Sequence, residues 1–476
     1  MLFGALYAGV PAAPLAPAYS LSSRDHAALA RLLALLGPGM VFADDAAAFA
    51  SALAGATPEG CEIVTSTDAL ERAGDDAALD AARREVGPDT IAKILFTSGS
   101  TGEPKGVVTT HRMLCANQAQ LAHALPWLAA EPPVLCDWLP WHHTFGGSHN
   151  LGIVLQHGGT LYIDDGAPTP AGIARTVANL REVSPTAYFN VPRGYELLVP
   201  HLREDARLCA SFFARTRFLF TAAAGMTQPV ADALQALAVA TRGARVPIVT
   251  GLGATETAPF ALCGAGDDAA AGVVGLPGAG VELKLVPDGD RWEARLRGPN
   301  VTPGYWRDAA RTAAAFDAEG YLRLGDALAW VDEAEPHRGL RFDGRLDDDF
   351  KLATGAWVRT APLRARLLAA LGAGVRDAVL VGADRAAVAA LVFVDAAHAP
   401  GHAQVRAALE SVAAVATGSA TRIERALLLA EAPSVDAGEL TAKGTLSPRA
   451  VARHRARAIE ELYAADASPR VVTRAG

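Results

Sequence analysis

Cysteine and long apolar runs are both scarce in this sequence. There are five cysteines, they are widely spaced, and no CxxC pair occurs, which excludes a disulfide framework and a zinc ribbon. Such a chain fits a reducing compartment, so the sequence predicts a cytoplasmic location. No run of roughly 18 apolar residues is present, so we expect neither a membrane helix nor a membrane partner.

Basic charge is also limited. The 43 lysines and arginines are outnumbered by 51 aspartates and glutamates, which gives a net charge of −8. Nucleic acid is therefore not an expected partner, because binding to it usually needs a basic surface. A composition of 51% hydrophobic and 20% charged residues excludes a disordered or fibrous chain and indicates a globular protein.

The first 23 residues carry no charged side chain and are largely apolar, as in a secretory signal peptide. They lack the basic start of such a peptide, and Pro11, Pro14 and Pro17 would interrupt its apolar helix. The pattern therefore favours a chain that is not exported.

Apolar runs alternate with helical patterns through the first half of the chain. The segments "TAYFNV", "FLFTA" and "PIVTG" are typical of buried strands, and amphipathic stretches lie between them. This alternation predicts an α/β fold with layered sheets of parallel type. After about Gly272, short alternating segments such as "VELKLV" and "WEARLR" predict a smaller, barrel-like antiparallel portion.

A second change of pattern near Asp347 predicts a separate domain. Two apolar strands, "DAVLVGA" and "AALVFVD", lie between helical stretches, and the chain ends with one basic helix, "PRAVARHRARAIEELYAA". We therefore expect a large N-terminal domain over residues 1–346 and a small α/β C-terminal domain over residues 347–476.

The segment "LFTSGSTGEPKGVV", from Leu95 to Val108, carries the strongest chemical signal. Its glycines let the backbone approach an anion, and its hydroxyls, N–H groups and lysine can hold phosphate oxygens. It is not a Walker A loop, because the Gly–Lys–Ser/Thr ending is missing, and the alternative is a polar turn. The predicted phosphate-binding residues are Thr97, Ser98, Gly99, Ser100, Thr101, Gly102 and Lys105.

Two other segments suit phosphate chemistry. In "ATET", Glu256 could supply the carboxylate that a hard cation such as Mg²⁺ requires, although a Thr-Glu pair alone is common and more often has no such role. In "LTAKGTLSPRAV", Lys443 supplies an ammonium that could stabilise negative charge on phosphates, although a lysine alone is more often a surface residue. The three histidines of "WLPWHHTFGGSHN" do not predict a metal site, because no convincing further ligand lies nearby.

Taken in order, these segments resemble the adenylate-forming superfamily of acyl-CoA synthetases and adenylation domains, from about residue 5 to residue 465. Three stretches, "WLPWHHTFGGSHNLGIVLQHGGTLYIDDG", "TGLGATETAP" and "DDFKLATGAWV", are most similar to feruloyl-CoA synthetases. The resemblance implies a ligase of phenylpropanoid catabolism, acting on ferulate, 4-coumarate or caffeate. It would use ATP and Mg²⁺ to form acyl-AMP and then transfer the acyl group to coenzyme A. We expect a monomer or a homodimer.

The resemblance also implies roles for individual residues. Lys443, His143 and Glu256 would be catalytic, with Glu256 holding Mg²⁺ and His143 near the carboxylate of the acid. Asp347 would be the hinge of a mobile C-terminal domain. The other nucleotide and CoA ligands would be Ala223, Ala224, Thr255, Asp326, Arg345, Lys351 and Gly355, and the acyl pocket would comprise Phe145, Ala222, Gly225, Gly251 and Pro259.

Two other functions stay open at this point, namely an adenylation enzyme that loads a carrier protein and a non-catalytic nucleotide binder. The second arises because family members carry strands and helices before the "GALYAGVP" segment, which here begins at Gly4 and implies an N-terminally truncated chain. Leu252 and Leu324 also depart from the family, where many members have an aromatic residue and a hydroxyl residue.

Overall fold

The structure is a computed structural model of the chain. It describes residues 1–70, 74–98, 104–223, 225–265, 272–372, 374–396, 398–434, 436–440, 446–464, 466 and 468–474. In these ranges no helix is both long and apolar enough to cross a membrane. The chain divides into two compact units. The first contains Met1–Leu15, Ala73–Phe96 and Gly106–Asp343, and the second contains Ala16–Arg72, Thr97–Lys105 and Gly344–Gly476.

Helices form where the sequence repeats apolar residues every three or four positions. Several begin at an Asp or Thr whose side chain caps the first turn, as Asp45 does for helix 46–56, and others end at a glycine with positive φ, as helix 228–242 does at Gly243 (φ 73°). The helices are α1 Leu2–Tyr7, α2 Ala18–Leu21, α3 Ala27–Leu36, α4 Ala46–Ala56, α5 Asp76–Arg84, α6 His111–Ala124, α7 Trp127–Ala130, α8 Leu151–His157, α9 Pro170–Leu180, α10 Pro192–Glu204, α11 Ala206–Ala214, α12 Gln228–Arg242, α13 Ala309–Ala315, α14 Thr360–Leu371, α15 His402–Ala414, α16 Pro448–His454 and α17 Ala456–Tyr463.

Strands form at the apolar and alternating runs. They are β1 Met40–Phe42, β2 Glu62–Val64, β3 Ile91–Ser98, β4 Pro104–Thr110, β5 Val134–Asp137, β6 Thr160–Ile163, β7 Ala187–Asn190, β8 Phe218–Ala222, β9 Ile248–Gly253, β10 Phe260–Ala265, β11 Val273–Pro277, β12 Glu282–Asp288, β13 Arg291–Arg297, β14 Leu322–Trp330, β15 Leu340–Arg345, β16 Phe350–Lys351, β17 Trp357–Val358, β18 Val375–Val381, β19 Val388–Val394, β20 Ile423–Leu429 and β21 Val471–Thr473.

The main sheet has the strand order β12-β13-β14-β15-β11-β10-β9-β8-β7. β7, β8 and β9 are parallel, and β10 continues from β9 in the antiparallel sense. The α/β fold class is therefore confirmed, and the antiparallel segments predicted after Gly272 extend this same sheet. Helices α9 to α12 cover the parallel strands and form a core of aromatic and aliphatic side chains.

The second unit contains the sheet β18-β19-β20-β21. Alternating side chains of its strands enter two cores, one with α14 and α15 and one with α16 and α17. The single basic helix predicted at the end of the chain is wrong, because Arg455 separates α16 from α17 with φ −97° and ψ 23°. The guanidinium of Arg455 donates to the carboxylates of Glu439 and Glu431. No short-range sequence pattern predicts this contact. The boundary between residues 346 and 347 stays a prediction.

Candidate active site

A buried acidic turn joins β9 to β10. The turn Thr255–Thr257 is a short 3-10 helix whose three side chains are all buried. The hydroxyl of Tyr305 donates to Oε1 of Glu256 at 3.1 Å, and the N–H of Thr302 donates to the Glu256 backbone oxygen at 2.8 Å. The carboxylate is therefore held in one orientation. Its oxygen atoms are of the type that Mg²⁺ binds in proteins.

Small residues lie where β8 and β9 end. The two strands are parallel neighbours, and their register pairs Ala222 with Gly251. A Cβ atom on Gly251 would lie 2.6 Å from Cζ of Phe220, so a larger side chain would require the ring to move. Ala223 follows with φ 73° and is exposed, and a Cβ atom on Gly225 would meet nothing within 4 Å. The predicted pocket residues Ala222 and Gly251 are thus adjacent, at the edge where parallel sheets bind ligands.

The histidine-rich segment turns into a π-helix, Phe145–Asn150, directly before α8. The backbone N–H of Phe145 donates to Nδ1 of His143 at 3.2 Å, so the neutral His143 ring carries its proton on Nε2. The Phe145 ring lies 5.8 Å from the ring of Phe220, the same ring that faces Gly251. The structure therefore brings Phe145 to the ends of β8 and β9.

A buried lysine that was not among the residues predicted from the sequence holds this π-helix. Lys93 in β3 is only 3% exposed, and its ammonium donates to the carbonyl of Gly147 and to Oγ of Ser148. Burial lowers the pKa of Lys93 to about 8. The side chain of Gln118 donates to the carbonyl of Ser148 at 3.1 Å. The signal for Lys93 was its single charge within the apolar run "IAKILF".

A second series of hydrogen bonds between buried polar side chains starts in the same π-helix. Because Nδ2 of Asn150 donates to Asp137 at 2.8 Å, its Oδ1 is the acceptor for Nδ1 of His149, also at 2.8 Å. Burial lowers the pKa of His149 to about 4 and raises that of Asp137 to about 7. The His149 ring packs against Phe145, Phe189 and Phe220. His149 is thus a neutral residue of the aromatic core.

Two more predicted residues of the first unit lie within a strand or directly next to one. Asp326 is buried in β14 and follows Gly325, which has φ 73°. Pro259 lies directly before β10, and a Cβ atom on Gly253 would be 1.6 Å from its carbonyl oxygen. Pro259 therefore packs tightly against the end of β9. The ribose role of Asp326 stays a prediction.

Several predicted nucleotide and hinge residues lie in the second unit. The hydroxyl of Thr97, near the end of β3, is buried and has no hydrogen-bond partner among the described residues. Lys351 lies in β16 with its ammonium 5.0 Å from the ring centre of Trp357, and the exposed Gly355 turns between β16 and β17 with φ 82°. Arg449 donates to the backbone oxygen of Asp347 at 3.0 Å.

The structure describes only some of the other predicted site residues. Lys105 follows the first residue of β4, and Arg345 is the last residue of β15. The backbone of Ser98 ends β3, and its side chain is not described. The predicted site residues that lie outside the described ranges are Gly99, Ser100, Thr101, Gly102, Ala224 and Lys443.

Known proteins and protein families match this sequence over most of its length. The family described as AMP-binding enzyme matches residues 1–306, and its C-terminal domain matches residues 347–467. A methyl-dioxo-octahydro-indenyl-propanoyl:CoA ligase of Mycobacterium tuberculosis is 34% identical over 330 residues, covering 67% of this chain and 58% of that protein. An anthranilate–CoA ligase of Pseudomonas aeruginosa is 31% identical over 286 residues, covering 57% of this chain and 49% of that protein. The chain therefore spans only about half the length of these relatives.

Among solved structures, the o-succinylbenzoate coenzyme A synthetase of Bacillus subtilis in complex with ATP and magnesium ion has the same fold. Its TM-score is 0.71 at 19% identity, covering 94% of this chain and 84% of that chain. The family match alone extends over more than half of the sequence, and this chain belongs to the AMP-binding enzyme family.

Proposed function

We propose that this chain is an ATP-dependent acid–CoA ligase that forms an acyl-AMP and transfers the acyl group to coenzyme A. One observation carries the proposal. The buried Thr255–Thr257 turn directly follows the strand end at which Ala222 pairs with Gly251. A turn that presents a buried, oriented carboxylate for Mg²⁺, beside an edge of small residues, suits a site where the carboxylate of an acid attacks the α-phosphate of ATP. Both related enzymes named above are CoA ligases.

The nucleotide would be held by hydroxyls, N–H groups and cations. In support, the Thr97 hydroxyl is buried without a hydrogen-bond partner in the described part of the chain, and a phosphate oxygen would satisfy it. Lys443 would stabilise charge on the phosphates during adenylation. The other proposed nucleotide ligands are Ser98, Gly99, Ser100, Thr101, Gly102, Lys105, Ala223, Ala224, Thr255, Asp326, Arg345 and Lys351.

Glu256 fits the Mg²⁺ that this chemistry uses. Magnesium is usually bound by one or two carboxylates together with substrate phosphates, and Glu256 presents an oriented, buried carboxylate. When bound there, the ion would neutralise charge on the phosphates of ATP. The protein's own contribution is to hold that carboxylate in place.

For the acid, we propose an aromatic substrate of the hydroxycinnamate type. The ring of Phe145 and the glycine at 251 border the same Phe220 ring, and Ala222, Gly225 and Pro259 complete the proposed pocket. Small and aromatic walls favour a flat ring over a flexible chain, since a rigid acid loses little conformational entropy on binding. The Nε2–H of the neutral His143 suits the carboxylate of the acid as a donor.

Thioester formation would use the second unit. We propose residues 347–476 as a mobile domain, Asp347 as its hinge and Gly355 as part of the path for the CoA thiol. The exposed Gly355 has open space where a Cβ atom would stand, so a narrow ligand arm could pass close to its backbone.

The test is a panel of acids with ATP, MgCl₂ and coenzyme A, following pyrophosphate release and detecting acyl-AMP and acyl-CoA by mass spectrometry. We expect ferulate or 4-coumarate to exceed octanoate by at least about tenfold in kcat/KM, equivalent to ~1.4 kcal/mol. No pyrophosphate release with any acid would overturn the ligase proposal. Acyl-AMP without acyl-CoA would instead indicate a carrier protein as acceptor, and a leading octanoate or amino acid would overturn only the aromatic substrate class.

A further inference from the structure

Two buried asparagines hold the segment that directly follows Glu256. Nδ2 of Asn117 donates to the carbonyls of Thr257 at 3.3 Å and of Phe260 at 2.9 Å, and its Oδ1 accepts from the N–H of Phe260. Nδ2 of Asn300 donates to the same two carbonyls, at 3.2 and 2.8 Å. The turn between β9 and β10 is thus fixed from two elements that are distant in the sequence.

The two asparagines are also connected to each other. Nε2 of Gln120 donates to Oδ1 of Asn300 at 3.4 Å, and Oε1 of Gln120 accepts from Asn117 at 3.2 Å. Both asparagines have no exposed surface. A buried amide network of this kind is costly to disturb, because each lost partner leaves a desolvated polar group. The network therefore makes the turn rigid.

The loop that carries Asn300 also reaches Glu256 directly. Two residues further on, the N–H of Thr302 donates to the Glu256 backbone oxygen at 2.8 Å, and the hydroxyl of Thr302 donates to the carbonyls of Val108 and Gly304. Tyr305 then donates its hydroxyl to Oε1 of Glu256 at 3.1 Å. One loop therefore fixes both the backbone and the carboxylate of this residue.

We propose that Tyr305 is a positioning residue for the cation ligand Glu256, with Asn117 and Asn300 as the rigid base on which it acts. This inference rests on the proposed function, in which Glu256 holds Mg²⁺ with ATP. A group that hydrogen-bonds a ligating carboxylate orients it, and loss of such a group typically weakens metal affinity by about 10-fold or more. The hydroxyl of Tyr305 would act through Glu256.

The test uses Tyr305→Phe in the full chain, with binding measured by calorimetry in the absence of any acid. The probes are ATP with MgCl₂, and AMP without metal. We expect the Kd for ATP with Mg²⁺ to rise about tenfold, while the Kd for AMP stays within about twofold. Tyr321→Phe is the matched control, because it removes a tyrosine hydroxyl that donates to Oε2 of Glu282 at 2.9 Å on the protein surface.

The outcomes separate this inference from the proposed function. If Tyr305→Phe binds both probes as the unmodified chain does, or weakens both equally, Tyr305 does not position a cation ligand. If Glu256→Gln leaves the Mg²⁺ dependence of ATP binding unchanged, Glu256 is not a cation ligand and Tyr305 has no such ligand to position. A chain that shows the selective Mg²⁺ effect but releases no pyrophosphate with any acid would support the inference and overturn the ligase.

Discussion

Replacing Lys93 by methionine should change how stability depends on pH. Methionine keeps an unbranched side chain of similar length and removes the ammonium, which is 3% exposed and bonded to Gly147 and Ser148. Burial disfavours the charged form, so the pKa of Lys93 falls from 10.5 to about 8. Between these two values the unfolded chain holds a proton that the folded chain has lost. The free energy of unfolding therefore gains a contribution that rises with pH across this window.

The lowered pKa sets the size of this effect. At about 1.4 kcal/mol for each pH unit, the whole contribution is about 3 kcal/mol, and about 2 kcal/mol of it falls between pH 8 and pH 10. Other groups titrate in the same range, including buried cysteines whose pKa burial raises. They are common to both proteins, so the difference between the two proteins isolates Lys93.

The assay is guanidinium unfolding of the unmodified chain and Lys93→Met at pH 8, 9 and 10. The stability of the unmodified chain relative to the variant should increase by about 2 kcal/mol over this range. Lys284→Met is the matched control, because hydrogen bonds to Asp317 and Glu319 raise the pKa of that lysine, and its contribution stays constant until the pH exceeds 10.5. If the free energies of unfolding of the unmodified chain and of Lys93→Met differ by the same amount at pH 8, 9 and 10, burial does not lower the pKa of Lys93.

Three further predictions concern the proposed site and the second unit. Lys443→Ala should abolish pyrophosphate release and spare thioester formation from supplied acyl-AMP, and unchanged pyrophosphate release would contradict its role. Gly251→Ala places a Cβ atom 2.6 Å from Cζ of Phe220, so thermal unfolding should show a loss of roughly 1–3 kcal/mol, whereas an unchanged midpoint would mean that the ring can move without cost. Glu439→Gln removes the buried carboxylate that accepts from Nε of Arg455 at 2.6 Å. Denaturant unfolding should show that the free energy of unfolding falls by roughly 3 kcal/mol. A decrease below about 1 kcal/mol would mean that this pair contributes no more than an ordinary surface ion pair.

Local sequence patterns predicted many of the strands and helices in their order along the chain. Period-2 and period-3.6 patterns reflect the nearest neighbours along the chain, so "TAYFNV", "FLFTA" and "PIVTG" predicted the parallel strands β7, β8 and β9 of the main sheet. Glycine-rich and hydroxyl-rich turns after such strands likewise show where anions can bind. The family followed from the resemblance of several motifs taken in order, and that resemblance implied most residues of the candidate site.

Contacts between residues that are distant in the sequence could not be predicted and are visible only in the folded chain. Tyr305 reaches Glu256, and Asn117 and Asn300 bond the same two carbonyls, although no periodic pattern connects these positions. Lys93 holds the carbonyl of Gly147 across more than fifty residues. These contacts form because a buried carbonyl, carboxylate or ammonium needs a hydrogen-bond partner and takes it from whichever segment packs against it. Local sequence shows that such a group exists, and three-dimensional packing selects its partner.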